Sequence, residues 1–147
     1  MFKNILVATD GSELAQRAAV QGVALAKAVG AKVTGFFAAP PATPIVYRNH
    51  LPVGLAQPQE HERLIAKAVA EHLGFIERAA KDAGVQFEGV HETNDFPAEA
   101  ILRIADKKGC DLIVMGSHGE GGLRDALIGN VAQKVVNQAR VPVMTLR

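Results

Sequence analysis

The sequence predicts an α/β protein: a single domain on an open five-stranded parallel sheet, strand order 3-2-1-4-5, with helices on both faces. Three observations carry this expectation. Short apolar runs alternate with longer segments of helical period throughout the chain, giving β-α-β-α-β-α-β-α-β. Parallel strands need such crossovers, and right-handed ones lay the helices back onto the sheet. The first and fourth apolar runs, Ile5-Leu6-Val7-Ala8 and Leu112-Ile113-Val114-Met115, are apolar at every position, which suits central strands covered on both sides, whereas the third alternates and suits an edge.

The first strand ends in Thr9-Asp10-Gly11-Ser12, where Ser12 or Asp10 can cap the following helix. Leu14, Ala18, Leu25 and Val29 recur at helical spacing on a small, Ala-rich face, and Gly30 is the stop. Lys32 to Ala38 forms the second strand, with Val33, Phe36 and Phe37. Residues 39–57 contain Pro40, Pro41, Pro44 and Pro52 and are expected to be an irregular loop, a mobile surface segment in preference to the alternative of a substrate lid. The helical period returns from Gln59 to Ala83 through Ile65, Val69, Leu73, Ile76, Ala80 and Ala83, with Gly74 a weak point and Gly84 the stop. Val85, Phe87 and Gly89 alternate with Gln86 and Glu88 as the edge strand. Asn94-Asp95-Phe96-Pro97 opens a third helix that buries Ala98, Ile101, Leu102 and Ala105 and closes at Gly109. After the fourth strand, Asn130 to Ala139 is a helix with Val131, Val135, Val136 and Ala139 inward, and Val141 to Leu146 is the last strand.

Composition narrows the function. The chain has 147 residues, 48% apolar and 21% charged, a size and balance for one ordinary globular core. A net charge of +1 provides no field to recruit nucleic acid or an anionic membrane, and no Trp and one Tyr leave little for base stacking. Cys110 is the only cysteine, so no intrachain disulfide can form. The N-terminal apolar run is short and broken by Asp10, and no stretch approaches a membrane span, so a cytoplasmic protein is expected.

In open parallel sheets, ligands sit beyond the carboxyl ends of the strands where the order reverses. Here that point lies between the first and fourth strands, which brings Asp10 beside Gly116. The stretch from Asp111 to Ala139, DLIVMGSHGEGGLRDALIGNVAQKVVNQA, is a buried strand, a glycine-rich polar loop and a helix start. Gly116, Gly119 and Gly129 are spaced G-x2-G-x9-G, and glycine lets backbone N–H groups come close to a phosphate. Asn130 can cap the last helix, with Gln133 as its capping-box partner. Bland alternatives stand beside each assignment. Asp10 could serve only as a cap, the glycines only as turn formers, and His118 only as a solvated loop residue. Arg124 suits a surface charge better than a phosphate contact. His50, His61, His72 and His91 lack metal spacing and read as surface or packing residues, and Cys110 as a buried thiol.

ILVATDGS at the start, DLIVMGSHG and the ending IGNVAQKVVNQARVPVMTLR resemble the universal stress protein family over essentially the full length, residues 1–147. The resemblance implies an adenine nucleotide alpha hydrolase-like fold. It also implies a regulatory protein of the stress response that binds ATP, with ADP or AMP as alternatives. ATP-binding members carry G-x2-G-x9-G followed by Ser or Thr; Gly116, Gly119 and Gly129 match, and Asn130 stands where the hydroxyl would be. By the same resemblance Asp10, with Ala8 and Thr9 beside it, faces the ribose or a phosphate-bound Mg²⁺. Ala38 contacts adenine through its backbone, and Met115 and Gly116 line the nucleotide. His118, Gly119, Asn130 and Val131 surround the phosphates. The family pairs its C-terminal strands, here Val141 to Leu146, into a homodimer.

Two other functions compete. A dimeric interaction module without nucleotide would resemble members lacking the motif, and Asn130 is the feature that favours it. A slow ATP hydrolase is the third, but there is no G-x4-G-K-[ST] and no lysine in the loop. No dinucleotide fingerprint or Ser-His-Asp arrangement is legible either, and the adjacency of Ser117 and His118 is not a triad.

Overall fold

The computed structural model describes residues 1–40, 58–119 and 128–147. The elements follow in the order β1 (Asn4–Thr9), α1 (Glu13–Val29), β2 (Lys32–Ala39), α2 (Pro58–Ala83), β3 (Phe87–Thr93), α3 (Pro97–Lys108), β4 (Leu112–Gly116), α4 (Asn130–Gln138) and β5 (Val143–Leu146). They form one five-stranded sheet of order β3-β2-β1-β4-β5, parallel at every pairing, as expected from the sequence. Central β1 pairs Val7 with Gly35 of β2 on one side and with Val114 of β4 on the other.

Strand alternation divides the core into two layers. Ile5 and Val7, Val33 and Phe37, and Leu112 and Val114 point to one face, where α1 and α2 pack. Leu6 and Ala8, Phe36, and Ile113 and Met115 point to the other, under α3 and α4. At the amino-terminal end of the sheet the buried polar residues pair with one another. Thr34 Oγ1 donates to Asn4 Oδ1 at 2.9 Å, Asn4 Nδ2 donates to the Lys108 carbonyl at 3.1 Å, and the Lys3 and Asn4 amides donate to the Asp111 carboxylate.

Several local expectations are corrected. The buried stripe of α1 is Ala15, Ala18, Ala19, Gly22, Val23 and Ala26, while Leu14, Leu25 and Val29 are half-buried at its flanks. The small residues take the line of closest approach: a methyl group on Gly22 would stand 2.8 Å from Val7 Cγ2. In α3, Leu102 is half-buried, and Ala100 and Ile104 join Ala98, Ile101 and Ala105 inside. In α4, Ala132 and Val135 are buried, whereas Val131 and Val136 are exposed. β3 begins at Phe87 rather than Val85, because the Val85 amide still donates to the Ala80 carbonyl and closes α2; the strand continues to Thr93. β5 begins at Val143, and β2 continues to Ala39. The remainder of the expected 39–57 loop beyond Pro40, and Arg124 and His50, lie outside the described residues.

Candidate functional site

The turn after β1 is fixed by its own side chains. Thr9 Oγ1 accepts the Gly11 amide at 3.1 Å, and Asp10 Oδ1 accepts the Ser12 amide at 2.9 Å. Gly11 has φ +83°, a left-handed conformation that other residues rarely adopt. Ser12, rather than Asp10, caps α1: its Oγ accepts the Ala15 amide at 3.2 Å. The Asp10 carboxylate thus belongs to the turn, with one oxygen held by Ser12.

β4 ends beside this turn. Buried Ser117 ties three segments together: its amide donates to the Leu146 carbonyl of β5 at 2.6 Å, its carbonyl accepts the Gly129 amide at 2.6 Å, and its Oγ lies 2.8 Å from His118 Nδ1. The neighbouring Ser117 and His118 side chains therefore do meet, in a hydrogen bond. Gly129 needs to be glycine because of this approach, since a Cβ there would sit 2.8 Å from the Ser117 carbonyl oxygen. Gly119 comes equally close to the first corner, where a Cβ would stand 2.7 Å from Asp10 Oδ2. The two corners, a hundred residues apart in sequence, are therefore in contact.

Asn130 does not cap α4. The N-cap is Gly129, with no side-chain capping bond; Asn130 is the first helical residue, and the Gln133 amide donates to the Gly129 carbonyl. The expected capping box is thus absent, because Asn130 lies one position too far into the helix to fold back on it. Within α4, the amides of Asn130, Val131 and Ala132 precede the first helical hydrogen bond, so the helix itself offers them no acceptor.

A cavity of about 400 Å³ opens between the corners. Every residue assigned to the site from the sequence lines it: Ala8, Thr9, Asp10, Ala38, Met115, Gly116, His118, Gly119, Gly129, Asn130 and Val131. Among the described residues, Ala15, Phe36, Pro97, Ile101, Ser117 and Ala132 also line it and were missed by sequence reasoning. A signal existed for two of them. Phe36 shares a strand face with Ala38 by the period of two, and Pro97 starts α3 at the same end of the sheet. One side of the cavity is apolar, through Phe36, Ala38, Pro97, Ile101 and Met115. The other carries glycine backbone, the α4 N-terminus, His118 and the Asp10 carboxylate, and no Lys or Arg is among the described lining residues. Such a cavity suits a ligand with a flat apolar part and an anionic part.

Elsewhere, His61 and His91 line a shallow groove with Glu62 and Thr93. His72 packs edge-on to Phe37, and buried Cys110 has its thiol pKa raised by desolvation. Among the described residues no three His, Cys, Asp or Glu side chains cluster to hold a metal, and no helix is long and apolar enough to cross a membrane.

The universal stress protein family model matches residues 1–147. A universal stress protein of Thermus aquaticus is 36% identical and universal stress protein YxiE of Bacillus subtilis 34%, each alignment covering 100% of both proteins. Among solved structures, a universal stress protein in complex with cAMP superposes with a TM-score of 0.69 at 23% identity, covering 99% of this chain and 97% of that one. The universal stress protein from Archaeoglobus fulgidus in complex with dAMP gives 0.67 at 21% identity, covering 99% and 98%. With the whole chain matched by the family model and by full-length relatives, this chain belongs to the universal stress protein family.

Proposed function

We propose that the chain binds an adenine nucleotide, ATP in the first instance, at the carboxyl ends of β1 and β4, and acts as a dimeric cytoplasmic regulatory protein of the stress response. One observation carries this reading: the Asp10 turn, the Gly119 backbone and the α4 N-terminus meet around a single cavity. The base would lie in the apolar part between Phe36, Ala38, Pro97 and Ile101. The phosphates would meet the amides of Asn130, Val131 and Ala132, where helix N–H groups and the dipole favour an anion, with Gly129 holding the helix start against Ser117. Asp10 offers the single carboxylate that a nucleotide-bound Mg²⁺ accepts alongside its phosphate ligands. The cAMP and dAMP complexes of relatives with this fold support the ligand class. Homodimerisation would use β5, an outer strand of the sheet.

Asn130 favours a second reading, an interaction module that holds no nucleotide, because it stands where ATP-binding members carry a hydroxyl. Melting the purified protein with and without millimolar ATP and Mg²⁺ separates the two. A ligand at a hundred times its Kd adds about 2.7 kcal/mol of stability. A clear rise in Tm is expected; no rise, with no nucleotide retained on purification, favours the module. Phosphate release above a Gly119→Val control would add slow hydrolysis to the first reading.

A further inference from the structure

His72, on α2, stands on the opposite side of the β1–α1 turn from the cavity, in the layer shared by α1 and α2. Its imidazole occupies the space that a side chain at position 11 would need: a Cβ built on Gly11 would lie 2.2 Å from Cε1, 2.5 Å from Nε2 and 2.6 Å from Nδ1. The ring is steadied from below by buried Phe37, edge-on with centroids 5.0 Å apart at 75°. The turn it covers is the one whose Asp10 carboxylate lines the cavity.

We propose that His72 is a positioning residue for the candidate site. Its ring acts as a detachable side chain for Gly11, supplied by another helix, and seats the turn so that Asp10 faces Gly119 across the cavity mouth. Three features make this more than packing. Gly11 is compelled both by its φ of +83° and by the imidazole, so the turn and α2 fit only as a pair. Asp10 and Ser12 flank Gly11 directly, so a shift at Gly11 moves the Asp10–Ser12 hydrogen bond. The ring end is flexible in principle, yet Phe37 on β2 leaves it a defined resting place. The inference rests on the nucleotide reading for its effect on affinity, but its geometric half stands without a ligand.

The test compares the full chain as wild type, His72→Ala, His72→Gln, Gly11→Ala and the Gly11→Ala/His72→Ala double variant. Two quantities are read: the amide resonances of residues 10–12 without ligand, and the Kd for Mg-ATP. His72→Ala is expected to displace the Gly11 and Ser12 resonances and to weaken Mg-ATP binding about tenfold, the scale at which outer-shell groups orient a site. His72→Gln, which keeps a planar polar group in place, should recover most of that loss. Gly11→Ala should weaken binding by a larger factor when His72 is present than when it is alanine, because the ring is what the methyl group meets. A merely structural His72 would lower Tm and leave Kd unchanged. Unchanged turn resonances and Kd in His72→Ala, or one common factor for Gly11→Ala in both backgrounds, would overturn the proposal. If the wild type binds no Mg-ATP, the nucleotide reading fails by itself. The resonances and the non-additivity of the two substitutions in Tm then decide whether His72 seats the turn.

Discussion

Two glycines of the candidate site face different neighbours, and the difference sorts their substitutions. At Gly129 a Cβ meets the Ser117 carbonyl oxygen at 2.8 Å and the His118 Cα at 3.2 Å, both backbone, so no side-chain rotation relieves the clash. Gly129→Ala is therefore expected to cost about 1–3 kcal/mol of folding stability, the usual range for overpacking, measurable by urea unfolding. At Gly119 a Cβ meets Asp10 Oδ2 at 2.7 Å, the end of a side chain that can swing away. Gly119→Val should leave stability nearly intact and displace the Asp10 carboxylate. It should weaken Mg-ATP binding to about the extent of Asp10→Ala, as read by calorimetric titration. Equal affinity in all three proteins would count against Asp10 and Gly119 acting at one ligand. The spacing of the glycines was legible in the sequence, but the reason for each was not. Which atom a missing Cβ would strike depends on a partner more than a hundred residues away for Gly119, and on the path of the chain between Ser117 and Gly129 for the other.

At the scale of elements, the strands were more legible than the helix faces. The unbroken apolar runs marked β1 and β4 as central strands covered on both sides, and the two core layers divide Ile5 and Val7 from Leu6 accordingly. In α1 and α4 the largest apolar residues drew attention, yet a helix lying close to a sheet puts its smallest residues on the contact line. Leu14, Leu25 and Val29 consequently flank α1, and Val131 and Val136 face outward on α4. Gly22 tests this directly. Alanine would gain about 1 kcal/mol of helix propensity, but its methyl group would stand 2.8 Å from Val7 Cγ2. Overpacking costs of about 1–3 kcal/mol outweigh the gain, so Gly22→Ala is expected to lower Tm. Ser12→Ala removes the cap on Ala15 and should cost about 1 kcal/mol. The start of β3 escaped the sequence because Val85 and Gln86 continue the alternation of Phe87 and Glu88, while the Val85 amide is already committed to the end of α2.

For the whole molecule, strand order followed from the apolar character of each run together with the crossover rule. That order alone brought Asp10 and Gly116 to one place. The place of Ile101 in the cavity wall and the seating of His72 on Gly11 were not legible, because α2 and α3 bring these side chains to the site without a local pattern that marks them, whereas Pro97 was signalled by its place at the start of α3. Cys110 reports on the integrity of the whole fold. Burial raises its thiol pKa, so the folded state holds the proton more tightly than the unfolded chain. Its contribution to stability is fully present below the unfolded value of about 8.5 and is lost as pH rises from there toward the folded pKa. Cys110→Ala should flatten that alkaline decline, and in the wild type alkylation by iodoacetamide should be slow until denaturant unfolds the chain. The central claim, that two remote backbone corners form one nucleotide cradle, is tested most directly by the ¹⁵N–¹H spectrum of the wild type during a Mg-ATP titration. The account predicts saturable shifts concentrated at Asp10, Gly116, Gly119 and Gly129 to Val131, with Gly30 and Gly84 unmoved. An unchanged spectrum at millimolar Mg-ATP, or shifts that avoid either corner, would contradict it.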